Sequence, residues 1–215
     1  MFIGHWAPAL AASAASRKAP PIALLFIGAQ LIDWAFFGFL LLGWEHMRFS
    51  PGISVMNPMD LYDMPYTHSL LGAAAFAGAV WALRSLVVRD RVGALIGGAV
   101  VLSHWLLDLL VHVPDLTLAG SPPKLGLGLW NHPWIEMPLE LGITFGALWW
   151  YVRARRPAIG RVAVLALVLL ALQGINWFGP VEPEVTAGTS YLAFFAYGLA
   201  TLAAWWMGKS ERQTA

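Results

Sequence analysis

Six long apolar stretches constrain this chain more than any other feature of its sequence. A helix needs roughly 20 consecutive apolar residues to cross a bilayer, within a range of about 17–25. The sequence therefore predicts an all-α integral membrane protein with about six transmembrane helices, in which residues 1–215 form a single transmembrane domain. The predicted spans cover residues 21–44, 66–88, 92–113, 134–152, 161–178 and 189–207.

The composition supports a membrane protein and excludes several other classes. Charged residues make up only 12% of the chain, about half the share of a soluble domain. The 12 Trp and 21 Gly residues suit membrane helices and their interfaces. The net charge of +1 gives no reason to expect a nucleic-acid partner. Because the chain has no cysteine, disulfides, thiolate catalysis and Cys-based zinc sites are excluded.

The Lys and Arg residues divide very unevenly between the two sides of the six spans. Only Arg48 and Lys124 fall on one side, so the positive-inside rule makes that side the outside and places both termini in the cytoplasm. The basic residues are expected to set this topology and to contact anionic membrane lipids. The cytoplasmic set comprises Arg17, Lys18, Arg84, Arg89, Arg91, Arg153, Arg155, Arg156, Arg161, Lys209 and Arg212.

The third span carries three ionisable residues on one helix face. His104, Asp108 and His112 are spaced i, i+4, i+8, and this spacing forms a stripe along a helix. An ionisable side chain in hydrocarbon costs at least about 2.5–3.5 kcal/mol, so such residues usually face the bundle interior and have a function. The pattern indicates a buried polar site along this helix.

The fourth span opens with a second stripe of the same spacing, formed by His132, Glu136 and Glu140. This helix runs in the opposite direction to the third span. If the two helices pack as antiparallel neighbours, residues at equal depth should meet. The expected pairs are His104 with Glu140, Asp108 with Glu136 and His112 with His132.

Two further polar groups match these depths. Asp33 lies halfway along the first span, and His68 opens the second. Imidazole and carboxylate ligands suit zinc, and also manganese or iron. A catalytic site needs about three protein ligands and an open position for water, and a spare Glu could act as the base. The other interpretation is that these groups only form hydrogen bonds between helices.

Residues 1–18 are expected to form a short N-terminal helix whose apolar part is too short to span the membrane directly. The helix could lie in the cytoplasmic interface or enter the bilayer as a re-entrant segment. Only the re-entrant placement would bring His5 near Asp33. The residues alone leave both placements open.

Four short motifs follow one another along the first half of the chain: Gly4-His5, Asp33, Tyr66-Thr67-His68-Ser69-Leu70-Leu71 and Ser103-His104-Trp105-Leu106-Leu107-Asp108. They resemble those of bacterial inner-membrane proteins classed as membrane-bound, metal-dependent hydrolases. The resemblance covers roughly the first half of the chain. It implies a bacterial inner-membrane location, a re-entrant N-terminal segment, and a metal centre made by His5, Asp33, His68, His104 and Asp108. The acidic pair expected near Asp33 is reduced to one residue, and Met64-Pro65-Tyr66 replaces a basic residue before the Thr-His motif.

The leading hypothesis is a membrane-embedded metal-dependent hydrolase that acts on a lipid or another amphiphile from the exoplasmic side. Glu136 or Glu140 would be the base or a further ligand. One alternative is a transporter that uses the same polar stripes as an ion path, although no paired broken helices in two related halves are evident. The other is a non-catalytic membrane scaffold. The expected ligands of a divalent metal, zinc before manganese or iron, are His68, His104, Asp108, Asp33, His5 and His112.

Overall fold

The computed structural model describes residues 1–180 and 183–211. Arg212, which contributes to the charge pattern, lies outside the described residues. Apart from one short hairpin, the regular structure is helical, so the all-α prediction is confirmed. The elements are α1 (Ala7–Ala15), α2 (Ile22–Ala29), α3 (Leu31–Leu42), β1 (His46–Phe49), β2 (Met59–Asp63), α4 (Leu70–Leu83), α5 (Arg91–Val111), α6 (Pro133–Arg155), α7 (Ile159–Phe178) and α8 (Ala187–Gly208), with 3-10 turns at Ile3–Trp6 and Leu129–Asn131 and a π-helical turn at Arg84–Val88.

Within the described residues, four helices are long and apolar enough to cross a membrane. They are α5, α7, α8, and α4 together with its π-helical turn. Helices α2 and α3 form a fifth candidate, which bends by 52° at the single residue between them, Gln30. Helix α6 falls outside this group, since it carries Glu136, Glu140 and two basic residues, although its 23 residues would extend about 35 Å. The count of six spans therefore stays a prediction.

The N-terminal segment enters the helical bundle. Ile3, Trp6, Ala9 and Leu10 are completely buried, and this segment packs against α2, α5 and α6. At the C-terminal end of α1, the Arg155 guanidinium donates hydrogen bonds to the backbone carbonyls of Ser13 and Ser16. Of the two placements that the sequence left open, the structure adopts the one inside the bundle.

This placement overturns the predicted pairing of the two polar stripes. Because the N-terminal segment lies between α5 and α6, these helices have little direct contact, and their stripes face a common cavity without pairing residue by residue. His132 is exposed at the start of α6 instead of meeting His112. The three depth-matched pairs were wrong, since a short inserted segment fills the space assigned to a direct helix–helix contact.

The loop after the first span folds into an antiparallel hairpin of β1 and β2. Met47 and Leu61 point inward and are buried, whereas His46 is exposed and pairs with Asp63 at 2.9 Å. The residues between and within the strands, including Met56 and Met59, line a cavity. The sequence analysis did not predict strands in this loop.

Candidate metal centre

Asp33 lies against two imidazoles from different helical elements. Its Oδ1 atom is 3.3 Å from His68 Nε2 and 3.4 Å from His104 Nε2. His68 precedes α4, and His104 lies in the middle of α5. Asp33 comes from the first turn of α3, directly after the bend. The bend therefore brings a carboxylate to the two imidazoles.

Asp108 contacts imidazoles through both of its carboxylate oxygens. Oδ2 lies 3.1 Å from His104 Nε2 and 3.7 Å from His68 Nε2. Oδ1 lies 3.0 Å from His5 Nε2 and 3.3 Å from His112 Nε2. The α-amino nitrogen of Met1 is also 3.0 Å from Oδ1. The structure thus brings all six predicted ligands into one His/Asp cluster, formed by His5, Asp33, His68, His104, Asp108 and His112.

A free backbone carbonyl fixes the orientation of His104. Ala29 is the last residue of α2, and carbonyls at a helix end lack a partner in the next turn. The Ala29 carbonyl lies 2.8 Å from His104 Nδ1. Because a carbonyl only accepts hydrogen bonds, Nδ1 carries the proton and donates it. In the neutral ring, Nε2 then keeps its lone pair and faces the two carboxylates.

A hydrogen-bond chain fixes His68 in the same way. The Thr67 hydroxyl donates to Glu45 Oε2 at 2.6 Å, so its oxygen accepts from His68 Nδ1 at 2.8 Å. Glu45 Oε1 accepts the backbone N–H groups of Tyr66 and Thr67, both at 2.8 Å. Glu45 is fully buried. It is a supporting residue that the sequence did not reveal, because an acidic residue at the end of a span resembles a solvated loop group.

The cluster has the chemistry of a divalent-metal site. Neutral Nε2 lone pairs and carboxylate oxygens repel one another unless a cation or a proton lies between them. His104 Nε2 and Asp108 Oδ2 are buried and have no hydrogen-bond partner among the described residues. Ligand atoms about 2.0–2.1 Å from a tetrahedral ion are separated by about 3.3–3.4 Å. The four contacts of Asp33 and Asp108 with His68 and His104 span 3.1–3.7 Å. Two overlapping groups of three residues could hold a metal ion, one formed by Asp33, His68 and His104 and the other by His5, His104 and Asp108.

The two glutamates of α6 have different surroundings. Glu140 Oε1 accepts the backbone N–H groups of Phe2 and Gly4, and Oε2 accepts from Gln173 Nε2 at 2.8 Å. These contacts tie the N-terminal segment to α6 and α7. Glu136 is equally buried, but neither of its oxygens has a hydrogen-bond partner within the described chain. Of the two predicted catalytic residues, Glu140 is held by backbone and Gln173 donors, whereas Glu136 has only the Glu140 carboxylate as a side-chain neighbour of this kind among the described residues.

A cavity of ≈ 300 Å³ joins the Glu136 carboxylate to the cluster. Asp33, His68, Asp108 and His112 line its polar end, and Glu136 lies on its wall. The remaining walls are mostly apolar. They are formed by α3, α7, α8 and the hairpin, through Phe36, Phe37, Met56, Met59, Leu61, Leu172, Ile175, Leu192, Phe195 and Ala196.

Replacing Thr67 should weaken metal binding without removing a ligand. Thr67→Val keeps the shape of the side chain but leaves the Nδ1 proton of His68 without its acceptor. We expect the metal dissociation constant to rise about 10–100-fold, as for other contacts that support a metal ligand. Competition with a chelator measures this change. Thr67→Ser retains the hydroxyl and should bind metal like the wild type, and equal affinities for both variants would contradict the role given to the Glu45–Thr67–His68 chain.

No protein-family model, curated protein or solved structure matches the chain. The fold and the cluster therefore define a class rather than a family. The class is a helical protein with membrane-type apolar helices and a buried His/Asp group that could hold a metal ion. The resemblance to membrane-bound metal-dependent hydrolases stays a prediction from the motifs.

Proposed function

We propose that the protein is a membrane-embedded, metal-dependent hydrolase that acts on a lipid or another amphiphile. One observation carries this proposal: a buried cluster suited to a metal shares a largely apolar cavity with an unpartnered glutamate. Buried charged groups without partners are costly in a membrane and usually mark a functional site. A purely structural network would be expected to satisfy its own polar atoms.

Asp33, His68 and His104 would hold the ion as its three protein ligands, which leaves an open position for water. The Asp108 carboxylate lies beside two of them. The two imidazoles and the Asp33 carboxylate suit zinc, with manganese or iron as alternatives. When bound, such an ion would activate water as a nucleophile and polarise the bond to be cleaved. Ala29 and Thr67 support this role because each holds a ligand imidazole with its Nε2 atom toward the site.

Glu136 would accept the proton from the attacking water. It lines the same cavity as the cluster, and apart from the neighbouring carboxylate of Glu140 its oxygens have no hydrogen-bond partner among the described residues. Glu140 would keep the N-terminal segment, and with it His5, in place. This division of roles assigns the base to the glutamate that no donor among the described residues holds.

The shape of the cavity supports an amphiphilic substrate. Ile175, Leu192 and Phe195 line the cavity and are also exposed on the outer surface of α7 and α8. An apolar chain could therefore enter sideways from the surrounding lipid while its polar group reaches the cluster. Apolar walls with a few convergent polar groups are typical of ligand sites.

We further propose that α6 is the sixth span and that both termini face the cytoplasm of a bacterial inner membrane. Arg155, near the end of α6, donates hydrogen bonds to the carbonyls of Ser13 and Ser16. The basic end of α6 therefore lies beside the basic pair that follows Ser16, at one end of the bundle. The hairpin and the cavity lie toward the opposite end. The positive-inside rule makes this opposite end exoplasmic, so the site would open to the exoplasmic half of the bilayer.

Hydrolysis of membrane phospholipid tests the proposal. The full chain is reconstituted with Zn²⁺ in nanodiscs of phosphatidylethanolamine and phosphatidylglycerol, and released fatty acid, diacylglycerol or headgroup phosphate is measured by mass spectrometry. We expect products with the wild type and none with His104→Ala. Equal product levels in both samples, or none in either, would contradict a phospholipid hydrolase. Zinc flux in proteoliposomes that is lost in Asp108→Asn would favour the transporter alternative.

A further inference from the structure

We propose that the cluster holds two divalent ions that share the carboxylate of Asp108. The two oxygens of this carboxylate face different pairs of imidazoles. Oδ2 faces His104 and His68 at 3.1 and 3.7 Å, and Oδ1 faces His5 and His112 at 3.0 and 3.3 Å. This inference rests on the metal centre of the proposed function and adds a second ion to it.

One tetrahedral ion cannot use all of these groups. The Nε2 atoms of His68 and His104, together with one oxygen each of Asp33 and Asp108, already supply four ligand atoms. A zinc site with protein ligands alone takes four, and a catalytic site takes about three. His5 and His112 are therefore in excess of what the first ion needs, although both rings are buried.

His112 is held in the manner of a metal ligand. Its Nδ1 atom donates to Asp115 Oδ1 at 2.9 Å, so its Nε2 atom faces Asp108. Ligating histidines usually donate their other ring N–H to a carboxylate or a carbonyl. The imidazoles of His104 and His112 follow this rule directly, through the Ala29 carbonyl and the Asp115 carboxylate. His68 reaches a carboxylate indirectly, because it donates to the Thr67 hydroxyl, which donates to Glu45.

His5 supplies an independent indication of a missing partner. The ring is only 1% exposed. Its Nε2 atom lies 3.0 Å from Asp108 Oδ1, whereas its Nδ1 atom has no hydrogen-bond partner among the described residues. It stacks on His104 with the ring centres 3.7 Å apart and the planes within 7°. The stacked rings present their Nε2 atoms to different oxygens of Asp108.

The ammonium group of Met1 is the competing explanation for the Oδ1 side. It lies 3.0 Å from Oδ1 and could neutralise this oxygen without a second ion. The two explanations differ in metal stoichiometry. The ammonium alone predicts one ion per chain, whereas the shared carboxylate predicts two.

Elemental analysis of the full chain, purified in detergent and loaded with Zn²⁺ before gel filtration, measures this stoichiometry. We expect about two ions per chain in the wild type, as in other two-metal sites, and about one in His112→Asn. The exposed His132 provides a matched control, since His132→Asn should retain both ions. One ion per chain in both the wild type and His112→Asn would overturn the proposal.

A measurement on the unmutated protein guards against misfolding of the variant. With Mn²⁺ in place of zinc, a carboxylate bridge should give the paramagnetic resonance spectrum of an exchange-coupled pair. A spectrum of isolated ions only would overturn the proposal. Failure of this inference can be distinguished from failure of the proposed function. If the protein binds one ion per chain and still hydrolyses lipid, only the proposed second metal site is contradicted. Two ions without any lipid product would support the second site and contradict the hydrolase.

Discussion

His104→Ala is expected to remove most of the bound metal from the purified protein. His104 Nε2 contacts both Asp33 and Asp108, and His104 belongs to both groups of three residues that could hold a metal ion, so its imidazole is a central ligand. Loss of a contact that only supports a ligand costs about 10–100-fold in metal affinity, and loss of a central ligand should cost more than about 100-fold. Elemental analysis after gel filtration, combined with chelator competition, measures this change.

The exposed histidines of the chain provide the controls for this experiment. His46 pairs with Asp63 on the hairpin, and His132 is exposed at the start of α6. His46→Ala and His132→Ala should keep the metal content of the wild type. If His104→Ala binds as much metal as these variants, the cluster is not a metal site and its histidines only connect helices.

Glu136→Gln is expected to abolish nearly all hydrolysis while leaving the bound metal in place. The amide keeps the size of the side chain but cannot accept the proton from water. A positioned general base contributes about 10²–10⁴-fold to a rate, so release of lipid product should fall by about this factor. Product release in nanodiscs and metal content are measured on the same preparations.

Glu184 provides a matched control, since it is exposed between α7 and α8. Glu184→Gln should hydrolyse lipid like the wild type. Product release by Glu136→Gln within a few-fold of this control would exclude Glu136 as the base. Loss of metal from Glu136→Gln would instead assign this residue to the ligands.

The polar stripe of α5 could be predicted because helix geometry fixes it. His104, Asp108 and His112 are four residues apart, and that spacing places them on one face whatever the helix packs against. Asp33 could be identified as well, since a carboxylate in the middle of an apolar span is a clear exception to the pattern. The apolar lengths of the spans likewise predicted the helical fold.

The arrangement of the helices around the site could not be predicted from the same patterns. The depth of His5 depends on whether a short apolar segment enters the bundle, and neither its length nor its composition decides this. The same insertion separates α5 from α6 and places Glu140 against the backbone of Phe2 and Gly4. The role of Glu45 depends on a turn that buries it beside Thr67. These features arise from tertiary packing, which sequence periodicity does not encode.

The central claim is that the cluster binds a metal ion between Asp33, His68, His104 and Asp108. Anomalous diffraction at the zinc absorption edge, from crystals of the full chain grown with Zn²⁺, tests it most directly. The account predicts a strong anomalous peak about 2.0–2.2 Å from the Nε2 atoms of His68 and His104. Zinc peaks only at the exposed His46 or His132, with none at the cluster, would contradict it.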